Sequence, residues 1–486
     1  MRSDSILKLR CLYDRQNGVT WLNIAVVDRR AKKEGAMTTR IEPVTTAKRA
    51  ISIYPSRGVA VAMVTVLAVA NIFSFIDRQI LSLLIDPIRA SLDIDDVQIS
   101  ILIGPVFALF YGVMGIPLGW AVDRFRRTRL AAGGIALWSL MTVLGGFAAS
   151  FPMLLVSRVG VGVGEAVLVP AANSIIADSF PPERRTRAMG AFAMSIYVGT
   201  GLALVFGGLL VGLVSSGAMQ AVIPGRLPWQ MVLILVGAPG VLVAAVLALL
   251  PEPARHEVSP VADVAAETIL PFVKSRAGAL TCHFLGYSAL ILIGYSLNAW
   301  APSVLIRQYH WSAPSTGLAL GLVGTIAGIG AIWCATWTAD RMWARGARNG
   351  LFRIGLTGAL IGLPAAALIG VVQSAGAFIL GYGVMTAIAA AGIGTGAAAI
   401  QQITPNQFRG RMLGTYLLIA SLIGSGLGPP AIALLSTHVF TSSHALSDGL
   451  AMTCAIATVA AALAFAAGLK PFGAAVRQHI VDEEPA

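Results

Sequence analysis

Twelve apolar stretches, each about as long as a bilayer is thick, constrain this chain more than any other feature it carries. A hydrocarbon core about 30 Å deep takes roughly 20 residues of helix rising about 1.5 Å each. With no water there to hydrogen-bond a backbone, such a segment must satisfy its own N–H and C=O groups, so it folds as a helix. The stretches run from about Val59 to Leu84, Ile99 to Val122, Leu130 to Ala149, Pro152 to Ala177, Ala188 to Val214 and Trp229 to Leu250. Six more run from about Ala277 to Val304, Gly317 to Ala339, Leu351 to Val372, Gly376 to Gln401, Met412 to Leu435 and Leu450 to Leu469. At 56% apolar and 12% charged over 486 residues, the composition excludes an ordinary soluble domain. The expected fold class is an all-α polytopic membrane protein of twelve transmembrane helices.

The net charge of +12 invites a nucleic-acid reading, but the placement of the cations excludes it. Of 35 Lys and Arg, only Arg89, Arg226 and Arg307 fall in loops on one side, and only Arg78 and Arg158 lie inside helices. The rest sit in the N-terminal arm and the alternate loops. That asymmetry predicts both termini on the cytoplasmic side of a bacterial-type inner membrane. No soluble surface exists to carry a nucleic-acid stripe. Cys11, Cys282, Cys334 and Cys454 are scattered, which fits neither a disulfide framework nor a metal site, and the reading calls for no metal and no cofactor.

Residues 1–56 are polar and basic and are expected to be a disordered cytoplasmic arm, with Met37 a second plausible start. The polar stretch 251–272 divides the helices six and six. An internal repeat supports that division. Asp340 and Arg341 echo Asp123 and Arg124, each pair following the second helix of its half; Arg409 and Arg411 echo Arg185 and Arg187 before the fifth. The chain therefore reads as a six-helix bundle over 57–250, a cytoplasmic linker over 251–272, a second bundle over 273–470 and a cytoplasmic tail over 471–486. Two related bundles imply a substrate path between them near the midplane and alternating access across it.

An ionisable side chain at a helix centre costs about 2.5–3.5 kcal/mol, so each one needs a reason. The first half has Asp77, Arg78, Arg158 and Glu165; the second has only His283. Asp77 and Arg158 lie at similar depth, about 10 Å in from the same side, and are placed to pair. Glu165 follows Arg158 by nearly two turns, on the same face but about 10 Å further along the axis. The expectation is that Asp77 and Glu165 bind protons, that Arg158 switches between them, and that Arg78 attracts an anionic group. A static ion-pair network is the competing reading. His283 reads as a hydrogen-bonded packing residue before it reads as a relay.

The stretch from Asn71 through Asp77, Arg78 and Leu81, followed by Gly119, Asp123, Arg124 and Arg127, resembles the first two helices and the following loop of the major facilitator superfamily. It departs in having Arg126 where a Gly is usual and Thr128 where a base is usual. Arg158, Gly162, Gly164 and Glu165, then Asp178, Phe180, Arg184 and Arg185, resemble the spinster-like branch; proton symporters of organic anions and sugar acids share a similar constellation. The resemblance implies two six-helix bundles related by a pseudo-two-fold, protonation sites at Asp77 and Glu165, and switching or substrate arginines at Arg78 and Arg158. It also implies a cytoplasmic gate built on Gly119, Asp123, Arg124, Arg127, Asp340 and Arg341.

Tyr287, Tyr295, Asn298, Trp300 and Trp333 are the polar and aromatic candidates for the second half's cavity wall. A neutral aromatic wall facing two arginines suits a small anion with an apolar body, or an amphiphile with an acidic head such as a lysolipid. The function expected is secondary transport, proton-coupled, by a monomer in the bilayer. A multidrug proton antiporter is the first alternative, weakened by Ala203 and Leu204 where such antiporters carry Gly-Pro. A receptor or structural membrane protein is the second. No catalytic cluster points to an enzyme, and no phosphate-binding loop points to an ATP-driven pump.

Overall fold

Helices of this length and composition need no partner to satisfy their backbones, and the computed structural model of the chain contains twelve of them. It describes residues 5–14, 19–28, 54–221, 223–255, 269–405 and 408–483, in two units, Met1–Ser56 and Arg57–Ala486. In the longer unit α1 (Arg57–Leu83) crosses first and the short α2 (Ile85–Leu92) follows it. The second crossing is split into α3 (Asp96–Ile103) and α4 (Pro105–Arg124). The fourth, after α5 (Arg127–Gly145), is split into α6 (Phe151–Glu165) and α7 (Leu168–Ser179). Then come α8 (Pro182–Ser215) and α9 (Pro228–Leu249). The second half holds the short α10 (Ile269–Ser275), α11 (Ala277–Tyr309), α12 (Ala313–Ala344) and α13 (Gly350–Gly370), then α14 (Ala375–Gln402), α15 (Arg409–His438) and α16 (Ala445–Glu483).

The first split has a local cause. A capping box of Asp95 and Gln98 starts α3, and Gly104 ends it because Pro105, at the first turn of α4, cannot donate to the preceding turn. A Cβ at Gly104 would collide with the Ser425 carbonyl, so the break is also where α15 comes closest. The fourth crossing breaks at Ala166 and Val167, directly after Glu165.

The face where α1 begins is called proximal below, and the opposite face distal. Within the first half α1 packs on α8, α5 on α9 and α4 on α6; within the second, α11 packs on α15 and α16, α13 on α16 and α12 on α14. The halves meet where α8 lies against α12 and α15 against α3 and α4. Glycines make the first seam. A Cβ on Gly208 would lie 2.6 Å from the Ala313 carbonyl, one on Gly321 would lie 2.8 Å from that of Gly201, and one on Gly317 would collide with that of Leu204. Small residues let backbones approach in lipid, where apolar burial gives no drive to associate. All these contacts lie in the distal half of α8. Gly190, near its proximal end, meets nothing within 4 Å.

Two expectations differ from what is seen. Within the expected disordered arm Ser5–Asp14 and Val19–Asp28 pair as antiparallel strands, in register Leu9 to Ile24. The β-branched run of Val19, Thr20, Ile24, Val26 and Val27 favours a strand. The rest of the arm as far as residue 53 lies outside the described residues. The expected tail is helical to Glu483 because Phe472, Val476 and His479, one face of a helix, are buried and extend α16.

Overpacking the seam tests it. Gly317→Val is expected to lower stability by about 1–3 kcal/mol in thermal unfolding of the purified protein, because its branch meets backbone. Gly330→Val on the same helix, with nothing within 4 Å, should change little.

Candidate functional site

Asp77 and Arg78 are consecutive on α1, so their side chains leave the helix about 100° apart and meet different partners. Asp77 faces α5 and α6: its Oδ1 lies 3.4 Å from Arg158 Nη2, and the Thr142 hydroxyl donates to its Oδ2. Arg78 faces the cavity, and its Nε donates to Glu165 Oε2 at 2.5 Å. Asp77, Arg158 and Glu165 are 3%, 2% and 1% exposed, so each ion is held almost wholly by protein. The Arg78 guanidinium also sits 4.3 Å from the Phe107 ring centre and 4.9 Å from that of Tyr111. Rings supply their negative faces to a cation that water does not fully cover.

The depth argument from sequence thus brings Asp77 and Arg158 together correctly. Glu165, read with Arg158, is given to Arg78. Seven residues separate Arg158 and Glu165, about 10 Å of rise, and the side chain of Arg78 closes the distance first. Glu165 Oε1 and Arg158 Nε are buried without a hydrogen-bond partner, so neither ion is saturated.

A central cavity of about 70 Å³ opens beside Arg78, with Arg158, Phe107, Thr200, Tyr295 and Asn298 in its wall. That is room for a handful of waters. Of the residues read as its second wall, Tyr295 and Asn298 are there. Tyr287 and Trp300 are fully buried instead, donating to the Leu351 and Pro429 carbonyls. Trp333 is 75% exposed on the outside of α12. His283 is fully buried, its Nε2 2.8 Å from the Gly396 carbonyl and its ring between Tyr287 and Tyr416.

At the proximal face Arg127 is buried and ties three segments of the first half together. It bonds Asp178 and Ser174 on α7, Glu252 at 2.8 Å, and the Pro253 carbonyl. Arg255 donates to the Val122, Asp123 and Phe125 carbonyls, closing the C-terminus of α4. Asp123, Arg124, Asp340 and Arg341 are exposed there; Arg124 lies over Trp120 and Arg341 over Trp337. Gly119 meets nothing within 4 Å. Glu252 was invisible in the sequence as anything but linker. Partial burial works against its charge, but the Thr128 backbone N–H, Arg127 and the Thr128 hydroxyl outweigh it and hold the carboxyl below the ordinary glutamate range.

The distal face carries a second unforeseen cluster. Arg307 of α11 reaches across to the first half, 2.6 Å from Asp86 and 2.8 Å and 2.9 Å from the two oxygens of Asp96. Arg89 lies 3.1 Å from the same Asp96. Nearby, the Gln79 side chain donates to the Asn298 carbonyl at 2.6 Å. The signal available in the sequence was the rarity of cations on that face: two of its three are in this cluster.

With this geometry in hand, comparison with known proteins is informative. The family model described as Major Facilitator Superfamily matches residues 67–429. An MFS-type efflux pump of Mycolicibacterium smegmatis is 29% identical over 399 residues, 82% of this chain and 89% of that protein. Protein spinster homolog 1 of Rattus norvegicus is 31% identical over 261 residues, 52% of this chain but only 47% of that protein's length. Among solved structures, a bacterial homolog to the human lysosomal transporter spinster, inward-facing and occupied, superposes with a TM-score of 0.73 at 27% identity, covering 89% of this chain and 100% of that one.

The Glu252 cluster makes a prediction about pH. A carboxyl whose folded pKa lies below its unfolded one adds stability above the unfolded value and loses it as pH falls through the folded one. The protein is therefore expected to lose thermal stability in acid, and Glu252→Gln to be less stable at neutral pH with a flatter acid limb. An unchanged acid limb in the variant would remove Glu252 from this role.

Proposed function

This chain belongs to the major facilitator superfamily and is an integral, multi-pass membrane transporter resembling its spinster-like branch; on that premise we propose that it carries a small organic anion, or an anionic amphiphile such as a lysolipid, by proton-coupled alternating access. The observation that carries the reading is Arg78, held by Glu165 at the edge of the central cavity. An entering anion competes with Glu165 for that guanidinium. A buried carboxylate that loses its cation favours its neutral form, so substrate arrival and proton uptake become one event. Asp77 and Arg158 form a second such pair one residue away on α1. Arg158 borders the same cavity and is free to move toward Glu165 when Arg78 leaves.

The halves 57–250 and 273–470 are the moving bodies in this proposal. Cation asymmetry puts the proximal face in the cytoplasm. In this proposal Arg307, Asp86 and Asp96 close the outer face, and Asp123, Arg124, Asp340 and Arg341 latch the inner one. A second reading, expulsion of hydrophobic compounds, is favoured by the rings of Phe75, Phe107 and Tyr111 around Arg78 and by the mycobacterial relative's name.

Uptake into proteoliposomes with and without a pH gradient tests the coupling. Glu165→Gln should lose gradient-driven accumulation by about tenfold or more while still exchanging substrate across the membrane. Full gradient-driven transport by that variant would sink the proposal. A thermal-shift screen decides the substrate class: stabilisation by cationic drugs and not by organic acids or lysolipids would favour the second reading. Arg307→Ala should speed labelling of Asn298→Cys by a membrane-impermeant thiol reagent from the distal side, in a cysteine-free background.

A further inference from the structure

The exposed apolar residues of α4 and α12 are not scattered. On α4 they are Leu109, Val113, Ile116 and Trp120; on α12 they form a run of Leu318, Leu322, Ile326, Ile329, Trp333 and Trp337, with Trp343 beyond it. Steps of three and four residues make each set one face of its helix, and an apolar face left exposed on a membrane-spanning helix meets acyl chains. Each stripe stops at the proximal end in a tryptophan, and each tryptophan is followed four residues later by an arginine lying back over its ring. Arg124 is 4.1 Å from the centre of Trp120, and Arg341 is 3.7 Å from that of Trp337. Trp343 and Arg348, 4.2 Å apart, add a third pair beside the second.

The chemistry of such a pair is specific. Indole rings settle where hydrocarbon gives way to headgroups. A guanidinium stacked on the ring uses its flat face there and keeps its N–H edges, which fit phosphate oxygens in pairs. Among the described residues neither Arg124 nor Arg341 enters an ion pair, not even with Asp123 or Asp340 beside it in sequence. By contrast Arg78, Arg127, Arg158 and Arg307 all have carboxylate partners. Arg126, Arg129 and Arg345 add positive charge around the two sites. The same arrangement occurs at matching positions of the sequence repeat, once in each half.

We propose that the proximal ends of α4 and α12 are a matched pair of docking sites for anionic phospholipid, with Trp120 and Trp337 at the acyl–headgroup boundary and Arg124 and Arg341 holding the phosphate. The sites flank the two seams along which the halves meet, so a bound lipid there bears on how far the proximal face parts. The inference does not rest on the transported substrate.

The test uses the full chain in detergent, with phosphatidylglycerol, phosphatidylcholine of the same acyl chains, or soluble glycerol phosphate. Native mass spectrometry counts bound lipid and thermal unfolding reads stabilisation. The expected result is about fivefold or greater preference for phosphatidylglycerol and no shift with glycerol phosphate. Arg124→Gln combined with Arg341→Gln should bring the preference below about twofold. Arg226→Gln, whose arginine stacks on Phe147 at the other face, should keep it. Arg78→Gln should keep it too, which separates lipid docking from anion binding in the cavity. Equal binding of the two lipids, a preference surviving the double variant or lost in Arg78→Gln, or a glycerol phosphate shift matching that of the lipid would each overturn the proposal. Should the double variant not fold, brominated phosphatidylglycerol must quench tryptophan fluorescence of the wild type more strongly than brominated phosphatidylcholine, and equal quenching overturns it.

Discussion

A charge placed among apolar helices has to be met by another charge, and the interior of this protein is arranged around that requirement. Four ions on α1 and α6 are resolved into two pairs, Asp77 with Arg158 and Glu165 with Arg78. Removing one member of a buried pair costs about 3–5 kcal/mol, because the other is left bare. Each ion therefore has to keep a partner, which ties α1 to α5 and α6 at these positions. The pairs are also unequal. Asp77 is enclosed and further held by Thr142, whereas the side chain of Arg78 is 20% exposed and borders the cavity. Asp77 and Arg158 are the more enclosed pair, and Arg78 is the side chain most open to a ligand.

Much of this was legible in the chain itself. The twelve spans follow from apolar length alone, and the Asp77–Arg158 pair follows from counting residues inward from helix ends. Arg78–Glu165 did not follow, because it depends on azimuth around the helix and on the break at Ala166 and Val167, which hydropathy does not register. Helix ends were also drawn short. Span α8 starts at Pro182, where Arg184, Arg185 and Arg187 make the sequence look like loop, and α16 carries its buried face past the apolar run. Tyr287 and Trp300 were placed in the cavity on residue type, yet backbone carbonyls of neighbouring helices take their polar atoms. The Arg127, Asp178 and Glu252 cluster joins Arg127 to residues 51 and 125 positions away, which no local pattern reports.

The two seams between the halves share a design. Each relies on backbone meeting backbone, through Gly201, Gly208, Gly317 and Gly321 in one and through Gly104 against Ser425 in the other. Side chains fit into the gaps beside them, Leu418 against Gly112 and Val205 against Gly321, so the two surfaces are closely matched.

The distal cluster has a corresponding economy. Asp96 accepts from Arg307 of the second half and also lies against Arg89 of its own half. When the halves part on that side, Asp96 keeps Arg89 within reach, while Arg307 and Asp86 lose each other at an edge where water can hydrate both. Opening thus leaves one carboxylate paired and hands only Arg307 and Asp86, both partly exposed already, to water. The bridge is built as a clasp with a spare catch, its shared carboxylate served by a cation from either half.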